Sequence, residues 1–355
     1  MRLLFDVNHP VQVHLLRHVA SHFAARGDEC LVVARDKDVT LRLLRHYGLE
    51  ATTLAPLGHG LLGNLRELLQ REWRLLRLAR RLRPRLIVGT SVHAARVGRL
   101  VGARSVVIND DDAAAVPLFA RLAYPLATRI VTPECLRRED YGARHATYAA
   151  NQQLFYLHPK RFQPDPGVRT QLGLGPGEGF VLVRLSALQA HHDRGVRGLQ
   201  AGFVAELQRA LPVGLRVFIS SERALPEELR ALELPLPPER MHDALAAAEL
   251  CVGDSQSVTA EAAVLGTPAL RLNSFVGRIS YLAELERRGL AYGFRPGQEA
   301  DLLACVQALL ADPARRATFA ARRAKLLAET IDPLPWLIEL LEREAGGGAA
   351  QPPPS

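Results

Sequence analysis

Lysine is nearly missing from this chain: only Lys37, Lys160 and Lys325 occur among 45 basic residues, so arginine carries the net charge of +8. An arginine-rich, lysine-poor balance beside abundant Ala, Leu, Gly and Pro marks a GC-rich coding bias. It weakens the case for nucleic acid and leaves an acidic membrane surface or a phosphate-bearing ligand as the expected partner. Cysteine is also scarce. Cys30, Cys135, Cys251 and Cys305 are scattered without a C-x-x-C pair, which argues against a disulfide framework or a zinc ribbon and points to reduced core thiols in the cytosol. No stretch approaches the roughly 18 uncharged apolar residues of a membrane span, and Asp6 interrupts the N-terminus too early for a secretory leader. Disorder is excluded by the 48% hydrophobic content, and 355 residues are more than one core usually supports, so two domains are expected.

Short apolar runs alternate with helical patterns, the signature of parallel sheets covered by helices. Residues 2–7, 30–35, 51–55, 85–89, 105–109 and 129–132 read as strands of a first α/β domain, residues 1–160. The Pro- and Gly-rich stretch 161–179 reads as a linker. Strands at 180–185, 215–221, 249–255 and 268–273 then build a second domain, 180–331. A helix at 332–345 is expected to pack back toward the first domain, ahead of a disordered tail at 346–355. Two Rossmann-like, doubly wound parallel-sheet domains bind ligands outside the carboxyl ends of their strands, so a central cleft is the expected site.

The polar residues concentrate where strands give way to helices. In "GDSQSVTAEAAVLGTP" (253–268) the strand ends near Gly253 and a helix begins near Gln256. The amides of Ser255, Gln256 and Ser257 then form a helix N-terminus suited to phosphate, and Glu261 stands a turn deeper, within reach of a ribose diol. Helix capping by Asp254 or Ser255 explains the same residues. "RLSALQAHHDRG" (184–195) gathers Arg184, His191, His192 and Asp193 on one loop, which could hold a metal only if a distant third ligand joined them, and none is evident. His14, His18 and His22 recur every four residues beside Leu15, Val19 and Phe23, as on the edge of a buried helix face. "NLRELLQREWRLLRLARRLRPR" (64–85) reads as an amphipathic cover helix with a basic face, or as a contact with anionic lipid.

The 253–268 stretch resembles the nucleotide-sugar site of GT-B enzymes, notably the non-hydrolysing UDP-N-acetylglucosamine 2-epimerases, with Asp254, Ser255, Glu261 and "LGTP" at matching spacing and Gln256-Ser257 in place of two glycines. Blocks at 155–168, 181–199, 217–229 and 240–286 look like the uncharacterised domain of unknown function 354 family, which implies the GT-B fold without a proven reaction. By this resemblance His14, with His9 as the alternative, is the acceptor's general base, and His191 or His192 contacts the diphosphate or acts as acid/base. Gly89-Thr90-Ser91 and the run Asp110, Asp111, Asp112 stand where the epimerases carry catalytic acids; the departure counts against epimerase chemistry and leaves these aspartates as acceptor-binding groups, general bases or helix caps. Ser220, Ser221 and Glu222 would line the uracil or ribose side, and Arg278 would partner phosphate.

The sequence is therefore expected to encode a metal-independent glycosyltransferase that needs no cofactor and uses a UDP-sugar donor, in surface polysaccharide or glycolipid synthesis. A sugar-nucleotide 2-epimerase and a non-catalytic nucleotide-binding scaffold are the alternatives. The implied acceptor is a polyprenyl-linked or glycolipid molecule, and the implied location is cytoplasmic, at the inner face of the membrane. A homodimer is admitted among the partners; nucleic acid is not.

Overall fold

A computed structural model describes residues 1–35, 38–54, 60–136, 139–186 and 199–346. Contacts divide the chain into two compact units: Met1–Tyr156 together with the C-terminal stretch from Asp332, and Leu157–Ile331.

Unit 1 is a parallel sheet of seven strands: β1 (Arg2–Val7), β2 (Glu29–Ala34), β3 (Ala51–Thr53), β4 (Leu86–Gly89), β5 (Arg104–Ile108), β6 (Arg129–Pro133) and β7 (His145–Tyr148), in the order β3-β2-β1-β4-β5-β6-β7. The central strands are continuous apolar runs because helices cover both faces, as a parallel sheet requires. Those helices are α1 (Pro10–Ala25), α2 (Asp38–His46), α3 (Gly60–Leu82), α4 (Val92–Val101) and α5 (Pro117–Ala123). Leu4, Ile87, Leu75 and Val97 meet in one buried cluster. The basic helix expected at 64–85 starts earlier and stops at Leu82, because Arg83 takes a left-handed φ of 50° ahead of Pro84. A short α6 (Leu154–Leu157) spans the boundary between the units.

Unit 2 repeats the plan with five strands: β8 (Gly179–Leu185), β9 (Leu215–Ser221), β10 (Leu250–Gly253), β11 (Ala269–Leu272) and β12 (Ala291–Phe294), in the order β12-β11-β10-β8-β9. Its helices are α7 (Val168–Gln171), α8 (Ala201–Ala210), α9 (Met241–Ala247), α10 (Gln256–Leu265), α11 (Ser280–Arg287), α12 (Glu299–Ala311) and α13 (Arg315–Ala328). Residues 161–179, read above as a linker, fall inside this unit, where α7 packs on α9 and Asp165 pairs with Arg240 at 2.6 Å. The final helix, α14 (Pro333–Gly346), lies against α1, β4 and β5 of unit 1, and its buried Glu344 pairs with Arg104 and Arg129. Of the tail expected at 346–355, Gly346 ends α14, and residues 347–355 lie outside the described residues.

Each sheet reverses its strand order once, between β1 and β4 in unit 1 and between β8 and β10 in unit 2. Both reversals use a glycine for close strand approach. A Cβ at Gly89 would stand 2.7 Å from the Asp6 carbonyl oxygen, and one at Gly253 would stand 2.7 Å from that of Arg184. The loops that follow these strands are where an open α/β sheet receives ligands.

Candidate functional site

In unit 2 the switch point is braced by Asp254, which is 2% exposed. Its Oδ1 accepts from the Ser186 amide at 2.7 Å and the Ser186 hydroxyl at 2.8 Å, tying the end of β10 to the end of β8. Its backbone oxygen accepts from Asn273 Nδ2 at 2.9 Å, which adds the end of β11 to the same knot. Arg223 stands 3.7 Å from Oδ2. Burial raises the Asp254 pKa, while the Ser186 bonds and the charges of Arg223 and Arg184 oppose the rise.

Ser255 is the N-cap of α10. Its Oγ accepts from the Val258 amide at 3.4 Å, and its carbonyl accepts from Thr259 Oγ1 at 2.6 Å. Capping therefore belongs to Ser255 and bracing to Asp254. Ser255, Gln256 and Ser257 are half-buried at the carboxyl end of the sheet, with the positive end of the helix dipole behind them. On the neighbouring strands Arg184 Nη1 donates to Ser220 Oγ at 2.7 Å, and Arg184 Nη2 pairs with Glu222. The Ser221 hydroxyl donates to the Arg223 carbonyl at 2.6 Å and accepts from the Arg223 amide at 3.1 Å, which fixes the turn that presents Arg223. Arg184, Ser220, Glu222, Arg223, Asp254 and Ser255 thus share one sheet edge.

Other expected residues stand differently. Glu261 is 4% exposed and turns to His242, 3.3 Å away on α9, so it is a buried carboxylate instead of an open lining group. Arg278 is exposed on the loop after β11. His191, His192 and Asp193 lie outside the described residues.

In unit 1 the switch point is held by Asp6, the fully buried penultimate residue of β1, which the sequence marks only as a break in the apolar N-terminus. Its Oδ1 pairs with Arg71 Nη2 at 2.5 Å, and its Oδ2 accepts from Ser91 Oγ. Ser91 Oγ in turn accepts from the Ala94 amide at 2.9 Å and caps α4. Two residues after that cap, His93 directs Nδ1 at Glu72 Oε2 from 3.3 Å, and burial holds its pKa below the usual imidazole value. Burial is the largest cause; Arg71 adds to it, while Asp6 and Glu72 oppose it. Among the described residues Nε2 of His93 has no partner. This pair was also invisible in the sequence, since its members lie on different helices.

His14 is 6% exposed, stacked on Tyr156 with ring centroids 5.3 Å apart and with Nδ1 3.4 Å from Tyr47 OH. It faces the interior of unit 1. His9 is the N-cap of α1, its Nδ1 accepting from the Val11 amide at 3.4 Å. The Asn8 side-chain amide is sealed from solvent with neither atom partnered among the described residues. Asp110, Asp111 and Asp112 are half-buried after β5, and none caps α5, whose N-cap is Val116 without a side-chain bond. Burial, reinforced by the Asp111 carboxylate, pushes Asp110 up to about 8.

A cavity of about 530 Å³ opens at the other end of unit 2, beside Glu249, Thr267 and Pro268 at the amino ends of β10 and β11. Glu249 there is already paired with Arg315 and Arg316. The polar constellation at the carboxyl ends, and not this cavity, follows the switch-point logic of the fold. Among the described residues no cluster of His, Cys, Asp and Glu is placed to hold a metal ion.

The two switch points and their sheet orders define a GT-B fold. The spinosyn forosaminyltransferase SpnP matches with a TM-score of 0.64 at 18% identity, covering 96% of this chain and 99% of its own. The spinosyn rhamnosyltransferase SpnG complexed with thymidine diphosphate gives 0.63 at 16%, covering 96% and 100%. The calicheamicin glycosyltransferase CalG4 gives 0.60 at 17%, covering 98% and 99%. At the family level, the model described as "Protein of unknown function (DUF354)" matches residues 1–152, whereas the blocks quoted above for that resemblance lie at 155–286. No curated protein matches the chain.

Proposed function

We propose that the protein is a glycosyltransferase that uses a nucleotide-diphosphate sugar, with UDP as the nucleotide, in surface polysaccharide or glycolipid synthesis on a polyprenyl-linked or glycolipid acceptor. The observation that carries this reading is the α10 N-terminus: half-buried Ser255, Gln256 and Ser257 stand at the switch point of unit 2, with Arg184 and Arg223 on the adjoining strand ends. That is the chemistry a diphosphate needs, amide donors and guanidinium groups at the positive end of a helix. It agrees with the complex of SpnG with thymidine diphosphate, a protein of the same fold that is also known with spinosyn aglycone.

The acceptor oxygen bonds to the anomeric carbon as that carbon's bond to the diphosphate breaks. UDP leaves with the bonding electrons, and the hydroxyl proton passes to a base. The α10 amides and Arg184 stabilise the charge that develops on the diphosphate without a metal. Ser220 and Glu222 border the nucleoside and its ribose, while Glu261 stays buried against His242. For the base, His93 suits the task better than the buried His14: Glu72 orients its ring, and a lowered pKa keeps it neutral. Asp110, held near 8, is largely protonated at neutral pH and serves the acceptor as a hydrogen-bond donor.

Incubation with UDP-sugars and a lipid-linked acceptor panel tests the reading. UDP release that requires acceptor is the expected result. Solvent deuterium entering C2 of UDP-N-acetylglucosamine would make the protein an epimerase, and UDP binding without turnover on every acceptor would make it a scaffold.

A further inference from the structure

Helices α3, α4 and α5 pack side by side in unit 1, α3 on α4 and α4 on α5. Together they carry nine arginines and two glutamates. Neither glutamate offsets the surface charge freely: Glu67 is buried against Arg35, and Glu72 is shared by His93 and Arg96. Arg66, Arg77, Arg80, Arg81, Arg99 and Arg121 have no carboxylate partner among the described residues. Large apolar side chains stand among them in solvent: Leu69 is 63% exposed, Trp73 58% and Leu118 68%.

The spacing on α3 is orderly. Arg66, Leu69, Trp73, Arg77 and Arg80 fall at intervals of three and four, so one solvent-facing stripe alternates apolar and cationic groups, with Arg77 over the Trp73 ring at 5.4 Å. A helix facing only water has no use for Leu69 and Trp73 there. A helix lying on a bilayer buries Leu and Trp at the headgroup level and places arginine among anionic phosphates. No helix among the described residues is long and apolar enough to cross a membrane, so the contact is one of surface.

We propose that the α3–α4–α5 face of unit 1 docks on an anionic phospholipid bilayer, with Leu69, Trp73 and Leu118 as apolar anchors and the unpaired arginines as headgroup ligands. Charge complementarity selects this occupant: six arginines on the three adjacent helices have no carboxylate partner among the described residues, and both glutamates of these helices are already paired. The proposal rests on the reading of a lipid-borne acceptor only for its purpose. Binding is measured without donor or acceptor, so a failure here leaves the transfer reaction standing, and a failure of transfer leaves the surface standing.

The test is co-sedimentation of the full chain with phosphatidylcholine vesicles, with and without about one third phosphatidylglycerol, over a salt series. The anionic vesicles should bind the protein and lose it as salt rises; the neutral ones should not bind it. Arg77→Gln/Arg80→Gln should lower the partition coefficient about 30-fold at about 1 kcal/mol per arginine, and Leu69→Ser/Trp73→Ser should lower it comparably. An Arg287→Gln control, at an exposed arginine of α11, should change nothing. Unchanged melting by circular dichroism ties any loss to the surface. Absence of vesicle binding, or equal binding by all variants, overturns the proposal, as does binding of duplex DNA or single-stranded RNA with the same dependence on Arg77 and Arg80 but no vesicle affinity.

Discussion

Asp6→Asn removes a charge at the centre of unit 1 and leaves its shape almost unchanged. The fully buried Asp6 carboxylate is the acid partner of Arg71, itself 5% exposed, and Arg71 Nε already has no partner among the described residues. Asparagine can still meet the Ser91 hydroxyl, but it cannot neutralise the guanidinium. Removing one member of a buried ion pair costs about 3–5 kcal/mol, because the other is left charged in a medium of low polarity. In a unit of this size that is a fall in melting temperature of roughly 10 °C. Both tryptophans, Trp73 and Trp336, belong to unit 1, and Trp336 packs by the Tyr148 ring at 5.6 Å, so intrinsic fluorescence in a urea titration follows unit 1 alone. Adding Arg71→Met to Asp6→Asn should recover at least half of the loss, since the stranded charge goes with the arginine. A loss under about 1 kcal/mol for Asp6→Asn, or a double variant weaker than both singles combined, would refute the reasoning.

Three further outcomes follow from the same geometry. Ser255→Ala removes the α10 cap and should cost about 1 kcal/mol in unit 2 while weakening UDP binding, read by circular dichroism and calorimetry. Glu249→Gln strands the buried Arg315 and should destabilise unit 2 by about 3 kcal/mol with the fluorescence transition of unit 1 unmoved; hydrogen exchange along α13 reads it. Asp110 binds its proton more tightly folded, at about 8, than unfolded, at the ordinary aspartate value of 3.8. Its contribution is therefore harmless below about pH 4, and stability falls as pH rises from there toward 8; Asp110→Asn should flatten that slope in urea titrations of unit 1.

Much of the fold was legible because central parallel strands are continuous apolar runs, and β1, β4, β8 and β9 fall at or within one residue of the expected boundaries. The edge strands β7 and β12 were not, because His145, Thr147, Tyr292 and Gly293 break the apolar pattern that burial on both faces imposes. At the candidate site the β10–α10 junction was readable from capping chemistry, which left Asp254 or Ser255 as the cap; the hydrogen bonds give the cap to Ser255 and the bracing to Asp254. What sequence could not supply was pairing across the fold. Asp6 with Arg71 and Ser91, His93 with Glu72, and Glu261 with His242 each join residues on separate elements, and periodicity is blind to all three. His14 shows the same limit from the other side: its place in α1, just after the β1 loop, fits a base, and only the packing of Tyr47 and Tyr156 reveals an interior ring.

The central claim is that the N-terminus of α10 holds the diphosphate of a nucleotide sugar. Ser257→Asp tests it most directly, because an aspartate in the first turn favours the helix while its charge opposes the ligand. Calorimetric titration of UDP should show saturable one-to-one binding to the unaltered protein and binding at least about tenfold weaker to Ser257→Asp, with thermal stability kept or raised. Equal UDP affinity in both, or no UDP binding by either, would contradict the account.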